Sequence, residues 1–351
     1  KIKMEVMKKI SRISIFGGTG YTGVELIRLL LSHPYVEIYQ ITSRKDKGKR
    51  VDEVYPSFRG ILNNKFVSPE DADLENVDIV FFATPNGIAM NYADNLISNG
   101  KIVIDLAADF RIKDKGVWEK WYGMEHKSPN LIDKAVYGLP EINRDSIKKA
   151  KLIANPGCYP TAIQLALIPL LKKKLINPIS IIADAKSGIS GAGKNPELKL
   201  LMSEAEEDFR AYGIAGHRHL PEIEENLANI CGDDIKLTFI PHLVPMIRGI
   251  HATIYVDCIE NFNAEEIFES FYKEEPFVDI MPTDMPPNTK SVRASNFCRI
   301  SFHKEKASNR LIIFSVIDNL MKGAAGQAVQ NMNIMMDWKE STGINLVPIT
   351  P

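Results

Sequence analysis

Apolar and polar positions fall into two rhythms along the chain. In the first half, short aliphatic runs alternate with helical stretches: Ser11–Phe16 (SRISIF), Val36–Thr42 (VEIYQIT), 78–83 (DIVFFA) and 101–106 (KIVIDL) read as buried strands. Between them, 24–32 carries apolar residues at helical spacing and stops at His33-Pro34, and 88–98 stops at Asn99-Gly100. Strand and helix in alternation predicts a parallel sheet covered on both faces. Beyond residue 158 the rhythm changes. The segments 178–186, 236–243, 249–258, 290–303 and 310–317 are strand-like with few long helices between them, which predicts a largely antiparallel sheet. A last helical run, 327–338, is expected to return and pack on the first half. The stretches 118–127 and 137–140 read as irregular connections. The fold class is therefore α/β, with a first domain from 1–157 and 319–351 and an α+β second domain from 158–318.

The turn after the first strand narrows the first domain's role. Gly17-Gly18-Thr19-Gly20-Tyr21-Thr22-Gly23 satisfies G-x-G-x-x-G and is followed by a helix. Strand, glycine turn and helix in that order is the context of a Rossmann dinucleotide site, with the pyrophosphate on the helix N-terminus. An NAD site usually places an acidic residue at the end of the second strand, but Ser43-Arg44-Lys45 stands there. A hydroxyl beside a guanidinium suits a 2′-phosphate, so NADP is the expected cofactor. Thr84-Pro85-Asn86-Gly87 follows a strand and belongs on the ligand side of the sheet.

Composition removes several classes. The 351 residues favour two domains, and 45% hydrophobic with 25% charged residues is ordinary for a globular protein. A net charge of −1 gives no reason to expect nucleic acid or an anionic membrane as partner. No apolar run approaches the ~18 residues that span a bilayer. Cys158, Cys231, Cys258 and Cys298 are widely spaced, which argues against a disulfide framework or structural zinc and fits a cytoplasmic protein. The basic 1–9 segment lacks an apolar core, so it is not expected to be a secretory signal; Met4 or Met7 is an alternative start.

Candidate chemistry centres on Asn155-Pro156-Gly157-Cys158-Tyr159-Pro160-Thr161. Pro160 suits a first helical turn, so Cys158 is placed at a helix N-terminus, where dipole and free N–H groups favour a thiolate. Gly157 permits close approach, and neighbouring N–H groups can act as an oxyanion hole. Arg111 follows a strand on a loop suited to an anionic substrate. Gly216-His217-Arg218-His219-Leu220-Pro221-Glu222 precedes a helix start, where imidazole stays neutral and basic. His-x-His lacks a nearby third ligand, so no metal is expected. Gly188–Asn195 (GISGAGKN) nearly matches a P-loop, but Asn195 stands where the magnesium-binding hydroxyl belongs, so a glycine loop over cofactor or substrate is expected instead.

Taken together, GGTGYTG (17–23), DLAADFR (105–111), YGLPE (137–141), NPGCYPT (155–161), SGISGAGK (187–194), GHRHLPE (216–222) and NLMKGAAGQ (319–327) resemble the N-acetyl-gamma-glutamyl-phosphate reductases of arginine biosynthesis, in the aspartate-semialdehyde-dehydrogenase-like superfamily. The resemblance spans almost the whole chain. It implies a glyceraldehyde-3-phosphate-dehydrogenase-like fold and NADPH-dependent reduction of an acyl phosphate through a cysteine thioester, giving a semialdehyde and phosphate. It implies that Cys158 is the nucleophile and that His219 or His217 is the acid–base group. Arg111, Asn155 and Gly157 would meet the substrate. Ser187, Gly188 and Asn319 would meet the cofactor, Asn319 at the nicotinamide end. A homodimer or homotetramer is implied as well. Ala107, Lys194 and His251 depart from the family's usual residues. The rivals are a reductase for the one-carbon-longer aminoadipyl phosphate of lysine synthesis and a non-catalytic NADP(H) sensor. Aspartate semialdehyde dehydrogenases carry an Arg and a His in the stretch that reads here as 243–251; Leu243 and Ile250 replace them. A one-residue shift on a strand turns His251 to the other face, so it is not expected to take over the acid–base role.

Overall fold

The computed structural model describes residues 10–350, so the expectations for 1–9 lie outside the described residues. The first half forms a seven-stranded parallel sheet from β1 (Ser11–Phe16), β2 (Val36–Thr42), β3 (Phe66–Val67), β4 (Ile79–Phe82), β5 (Ile102–Asp105), β6 (Val136–Tyr137) and β7 (Leu152–Ala154). The strand order is β3-β2-β1-β4-β5-β7-β6, and every pairing is parallel. The order reverses between β1 and β4, so a crevice opens at the carboxyl ends of these two strands. The residues of β4 are buried throughout, as a strand covered on both faces requires.

The second sheet has β8 (Ile181–Gly188), β9 (Arg210–Ala211), β10 (Leu237–Val244), β11 (Ile250–Asp257), β12 (Val278–Ile280), β13 (Cys298–Lys304) and β14 (Arg310–Ile317). Its order is β12-β13-β14-β11-β8-β10-β9, with β8–β10 and β12–β13 parallel and the remaining pairs antiparallel. Along β11 the residues Ile250, Ala252, Ile254 and Val256 are buried, and His251, Thr253 and Tyr255 take the opposite face. The buried face carries the helix Cys158–Lys172, which is apolar nearly all round because the helix His219–Cys231 covers its other side.

Three helices lie where the sequence reading placed connections or none. Asp114 accepts a hydrogen bond from the Val117 N–H and Gly123 ends the helix Lys115–Tyr122 at φ +67°. Pro140 opens Pro140–Lys149, and the Asn263 side chain caps Ala264–Tyr272. The expected single helix over 88–98 is a 3₁₀ turn followed by Ala93–Ser98. The expected strand over 290–303 begins only at Cys298.

The closing helix, Gly326–Met335, returns to the first sheet, where Ala328, Val329 and Met332 pack with Ile13, Ile15 and Leu26. A π-helical turn, Met321–Ala325, precedes it. Asp318 holds the entrance to this turn, accepting hydrogen bonds from the N–H groups of Leu320 (2.8 Å) and Met321 (3.2 Å). Arg248 then ties the two halves together. Its guanidinium donates to Glu25 on the helix after the glycine turn, at 2.7 and 3.2 Å, and reaches Asp318 at 3.4 Å.

Candidate active site

A cleft of about 700 Å³ runs between the carboxyl ends of β1 and β4 and the N-terminus of the Cys158 helix. Its floor is the glycine turn. Gly17 has φ +83°, and a Cβ there would lie 2.4 Å from the Ala83 carbonyl oxygen. At Gly23 a Cβ would lie 2.3 Å from the Gly17 carbonyl oxygen. Glycine at these positions lets turn, strand and helix approach closely, as a pyrophosphate cradle needs. Gly17, Thr19, Gly20, Tyr21 and Thr22 face the cleft. Gly18 is buried beneath it, where a Cβ would press on Ile41.

The basic loop divides into three parts. Ser43 is buried and accepts a hydrogen bond from the Asp46 N–H at 3.2 Å. Arg44 is exposed and paired with Glu70 at 3.0 Å. Lys45 and Asp46 line the cleft itself. Thr84 and Pro85 also line it, and the buried Oγ1 of Thr84 has no hydrogen-bond partner among the described residues. The glycine loop 190–196 forms the opposite wall. Lys194 crosses from it, donating to the Tyr55 hydroxyl at 2.7 Å, and that hydroxyl donates to the Thr19 carbonyl at 2.7 Å. Ser187 and Gly188 stand behind this wall, with the Ser187 hydroxyl bonded to the Gly188 carbonyl at 3.0 Å. Asn319 lines the cleft while its carboxamide bridges Ser190 (2.9 Å) and the Gly249 N–H (2.7 Å).

At the inner end, Cys158 is half-buried and is the first residue of its helix, with Gly157 as N-cap. The position predicts a thiolate, but the burial is the larger effect. It pushes the thiol up to about 11, against the N–H of Tyr159 and the charge of Arg111, which pull the other way. The Gly157 N–H is occupied, donating to Glu222 Oε1 at 2.8 Å, which leaves the N–H groups of the helix's first turn for the expected oxyanion role.

Glu222 organises this end, although the sequence marked it only as part of a helix start. Its carboxylate is fully buried and also accepts from the Tyr137 hydroxyl (2.9 Å) and Arg111 (3.3 Å). Arg111 is nearly buried, donating from Nε to the Asn155 carbonyl (2.7 Å) and from one amino group to the Leu106 carbonyl (2.8 Å). The amino group on Glu222 has a further N–H, and it lies close to Gly157. Asn155 is buried away from the cleft, with its side chain between the Ala324 carbonyl (3.2 Å) and the Asn331 amide (3.1 Å).

The structure separates the two histidines. His219 lines the cleft and opens the helix His219–Cys231, rather than preceding it. A Cβ on Gly157 would lie 2.7 Å from His219 Nε2, so this imidazole stands directly over the Cys158 turn. Burial, then His217 and Arg111, hold it well below the usual histidine range, so it is neutral. Its Nδ1 is buried without a partner among the described residues. His217 sits behind, amid Tyr159, Tyr212 and Phe239, and its Nδ1 accepts from the His219 N–H at 3.1 Å. Burial pulls His217 down to about 4, with Arg218 adding to the effect. Arg218 is exposed on the cleft wall, a cation to which the sequence reading gave no role. His251 lies on the outer face of β11, away from the cleft.

Residues 12–150 match the semialdehyde dehydrogenase NAD binding domain, and 158–319 match the semialdehyde dehydrogenase dimerisation domain. An N-acetyl-gamma-glutamyl-phosphate reductase of Laribacter hongkongensis is 57% identical, covering 97% of this chain and 99% of the relative. One from Nitrosospira multiformis is 55% identical over the same shares. Among solved structures, aspartate semialdehyde dehydrogenase II of Vibrio cholerae, complexed with ASA, superposes with a TM-score of 0.72 at 18% identity, covering 94% of this chain and 99% of that one. The Candida albicans enzyme with NADP gives 0.69 at 16%, covering 93% and 99%. At such identities these structures speak for the fold alone.

Proposed function

The chain belongs to the N-acetyl-gamma-glutamyl-phosphate reductase family, and on that premise we propose that it reduces N-acetyl-gamma-glutamyl phosphate to N-acetylglutamate semialdehyde and phosphate. The observation that carries the site assignment is the meeting of Cys158, His219 and Arg111 at the inner end of a cleft floored by the glycine turn.

The residues present fit NADP. The close-packed Gly17 and Gly23 leave room for a pyrophosphate, and Lys45 with the neighbouring Arg44 offers cations for a 2′-phosphate. Thr84 Oγ1 is a buried polar atom awaiting a partner. Bound NADPH supplies the hydride that reduces the acyl carbon. The protein does the rest. His219, neutral in the cleft, takes the proton of the Cys158 thiol. The sulfur then attacks the acyl carbon, a C–S bond forms, and phosphate leaves with the electron pair of the C–O bond. First-turn N–H groups of the Cys158 helix stabilise the oxyanion. Arg111 and the exposed Arg218 hold the anionic substrate. After reduction the C–S bond breaks, and protonated His219 returns its proton to the departing thiolate.

No described helix is long and apolar enough to cross a membrane. The four cysteines are free, which supports the cytoplasm as the site of action. A homodimer or homotetramer is supported by the match of 158–319 to a dimerisation domain. The test is steady-state reduction of NADP by N-acetylglutamate semialdehyde in the presence of phosphate, beside the one-carbon-longer semialdehyde. Preference for the first is expected. Turnover of only the longer one would reassign the substrate, and a folded, NADP-binding sample with neither activity would mark a sensor.

A further inference from the structure

Lys322 is the most deeply buried cation among the described residues, with no exposed surface, and it sits in the π-helical turn Met321–Ala325. Its ammonium donates to Glu141 Oε1 at 2.6 Å and to the Gln330 carboxamide oxygen at 2.9 Å. Glu141 is equally buried, and its second oxygen has no partner among the described residues. A buried ion pair adds little net stability over apolar residues of the same shape, so stability alone does not explain it. Its location offers another account. The residue after Lys322 is Gly323, where a Cβ would lie 2.8 Å from Cys158 Cβ and 3.2 Å from Cys158 Cα. Next comes Ala324, whose carbonyl accepts the Asn155 amide at 3.2 Å. The turn is thus the seat on which the Cys158 segment rests. A π turn is rare and is found mostly as a single bulge at functional sites, which fits its place against Cys158.

We propose that Lys322 is a positioning residue: its buried ion pair with Glu141 pins the Met321–Ala325 turn against Cys158 and so fixes where the sulfur stands. The pair links the turn to Glu141, four residues beyond Tyr137, whose hydroxyl donates to Glu222. Both sides of the Cys158 turn are therefore held from one short segment, the carboxylate side through Tyr137 at the end of β6 and the sulfur side through Glu141 in the first turn of the helix Pro140–Lys149. Gln327 and Asn331, on the following helix, reinforce the join by donating to the Gly138 carbonyl at 3.0 and 2.8 Å. The inference rests on the reading of Cys158 as nucleophile.

The experiment uses the full chain with Lys322→Met and Glu141→Gln combined, which removes both charges and leaves no unpaired ion in the interior. Expected is a thermal midpoint near wild type, NADPH affinity and substrate KM within about twofold, and kcat lowered at least ~10-fold, since small misplacement of a reacting group is costly. The rate of Cys158 alkylation by iodoacetamide against pH should move as well, which a purely structural pair would not cause. Gly323→Ala, which pushes directly on Cys158, should reproduce both changes with the ion pair intact. If the double variant does not fold, Lys322→Arg decides by the same two readouts, because its larger head displaces the turn while keeping the charge. Wild-type kcat and an unchanged alkylation profile would overturn the proposal. Cys158→Ala, run alongside, separates the two claims: activity in that variant removes the nucleophile, whereas its inactivity beside a fully active double variant removes only the positioning role.

Discussion

Glu222→Gln is the sharpest perturbation of the polar network under the active site. The carboxylate has no exposed surface and serves three donors: Gly157 N–H, the Tyr137 hydroxyl and Arg111. A glutamine can keep its carbonyl oxygen toward the first two, which share Oε1. Its amide nitrogen then faces the Arg111 amino group, donor against donor, and the guanidinium loses its buried counter-charge. Removing one partner of a buried ion pair costs about 3–5 kcal/mol. For a domain of 150–250 residues, 1 kcal/mol shifts the melting midpoint by about 2–4 °C, so a fall of roughly 6–20 °C is expected by calorimetry. Arg111 should also shift relative to Gly157, and kcat/KM should fall about 10²-fold. Adding Arg111→Met removes the stranded cation and should restore most of the midpoint, but not the activity. A Glu222→Gln protein that melts within 2 °C or so of wild type and turns over normally would refute the reasoning.

Three further outcomes follow from the same geometry. His219→Ala should lower kcat by about 10²–10⁴-fold while His251→Ala retains most activity, read from steady-state rates; the reverse order would move the acid–base role to β11. Arg44→Ala should weaken NADPH roughly 10–100-fold while sparing NADH, since a charge-assisted bond is worth about 1.5–3 kcal/mol; titration by fluorescence checks it, and an unchanged NADPH/NADH ratio would leave Arg44 to Glu70 alone. Finally, His217 is held down to about 4 in the folded chain, below the ordinary histidine value of 6.5. Between those values the unfolded chain binds the extra proton, so stability is present above about pH 6.5 and is lost as pH falls toward 4. His217→Gln should flatten that slope in urea titrations across the window, and an equal slope would assign the acid loss elsewhere.

Much of this was legible from residue order. Parallel strands covered on both faces read as plain aliphatic runs, so β1, β2, β4 and β5 stand out, and the glycine turn sits beside β1. The mixed second sheet was visible through its β-rich segments, although the parallel β8–β10 pairing depends on a crossover that no local pattern displays. The helix Lys115–Tyr122 was hidden by aromatic residues, despite the cap at Asp114 and the stop at Gly123. Within the site, local context marked Cys158, Arg111 and the histidine loop one by one; the family resemblance gathered them, and their relations had no signal. Glu222 looked like an ordinary first-turn acid, because burial by Tyr137 and Arg111 is a tertiary fact. The separation of His219 from His217 depends on which ring nitrogen faces a backbone N–H. The thiol's upward shift had no signal either: the helix N-terminus is local and legible, and the enclosure that outweighs it is assembled from both halves. The π turn and its buried Lys322 have no one-dimensional signature beyond a lysine among small residues.

The central claim is that Cys158 carries the acyl group. The direct measurement is intact mass of the protein mixed with N-acetyl-gamma-glutamyl phosphate in the absence of NADPH. The wild type should gain one N-acetylglutamyl group with release of phosphate, and peptide mapping should place it on Cys158. His219→Ala should acquire it slowly, and Cys158→Ala should not acquire it at all. A wild-type protein that turns over yet never carries the group, or a Cys158→Ala protein that carries it elsewhere and stays active, would contradict the account.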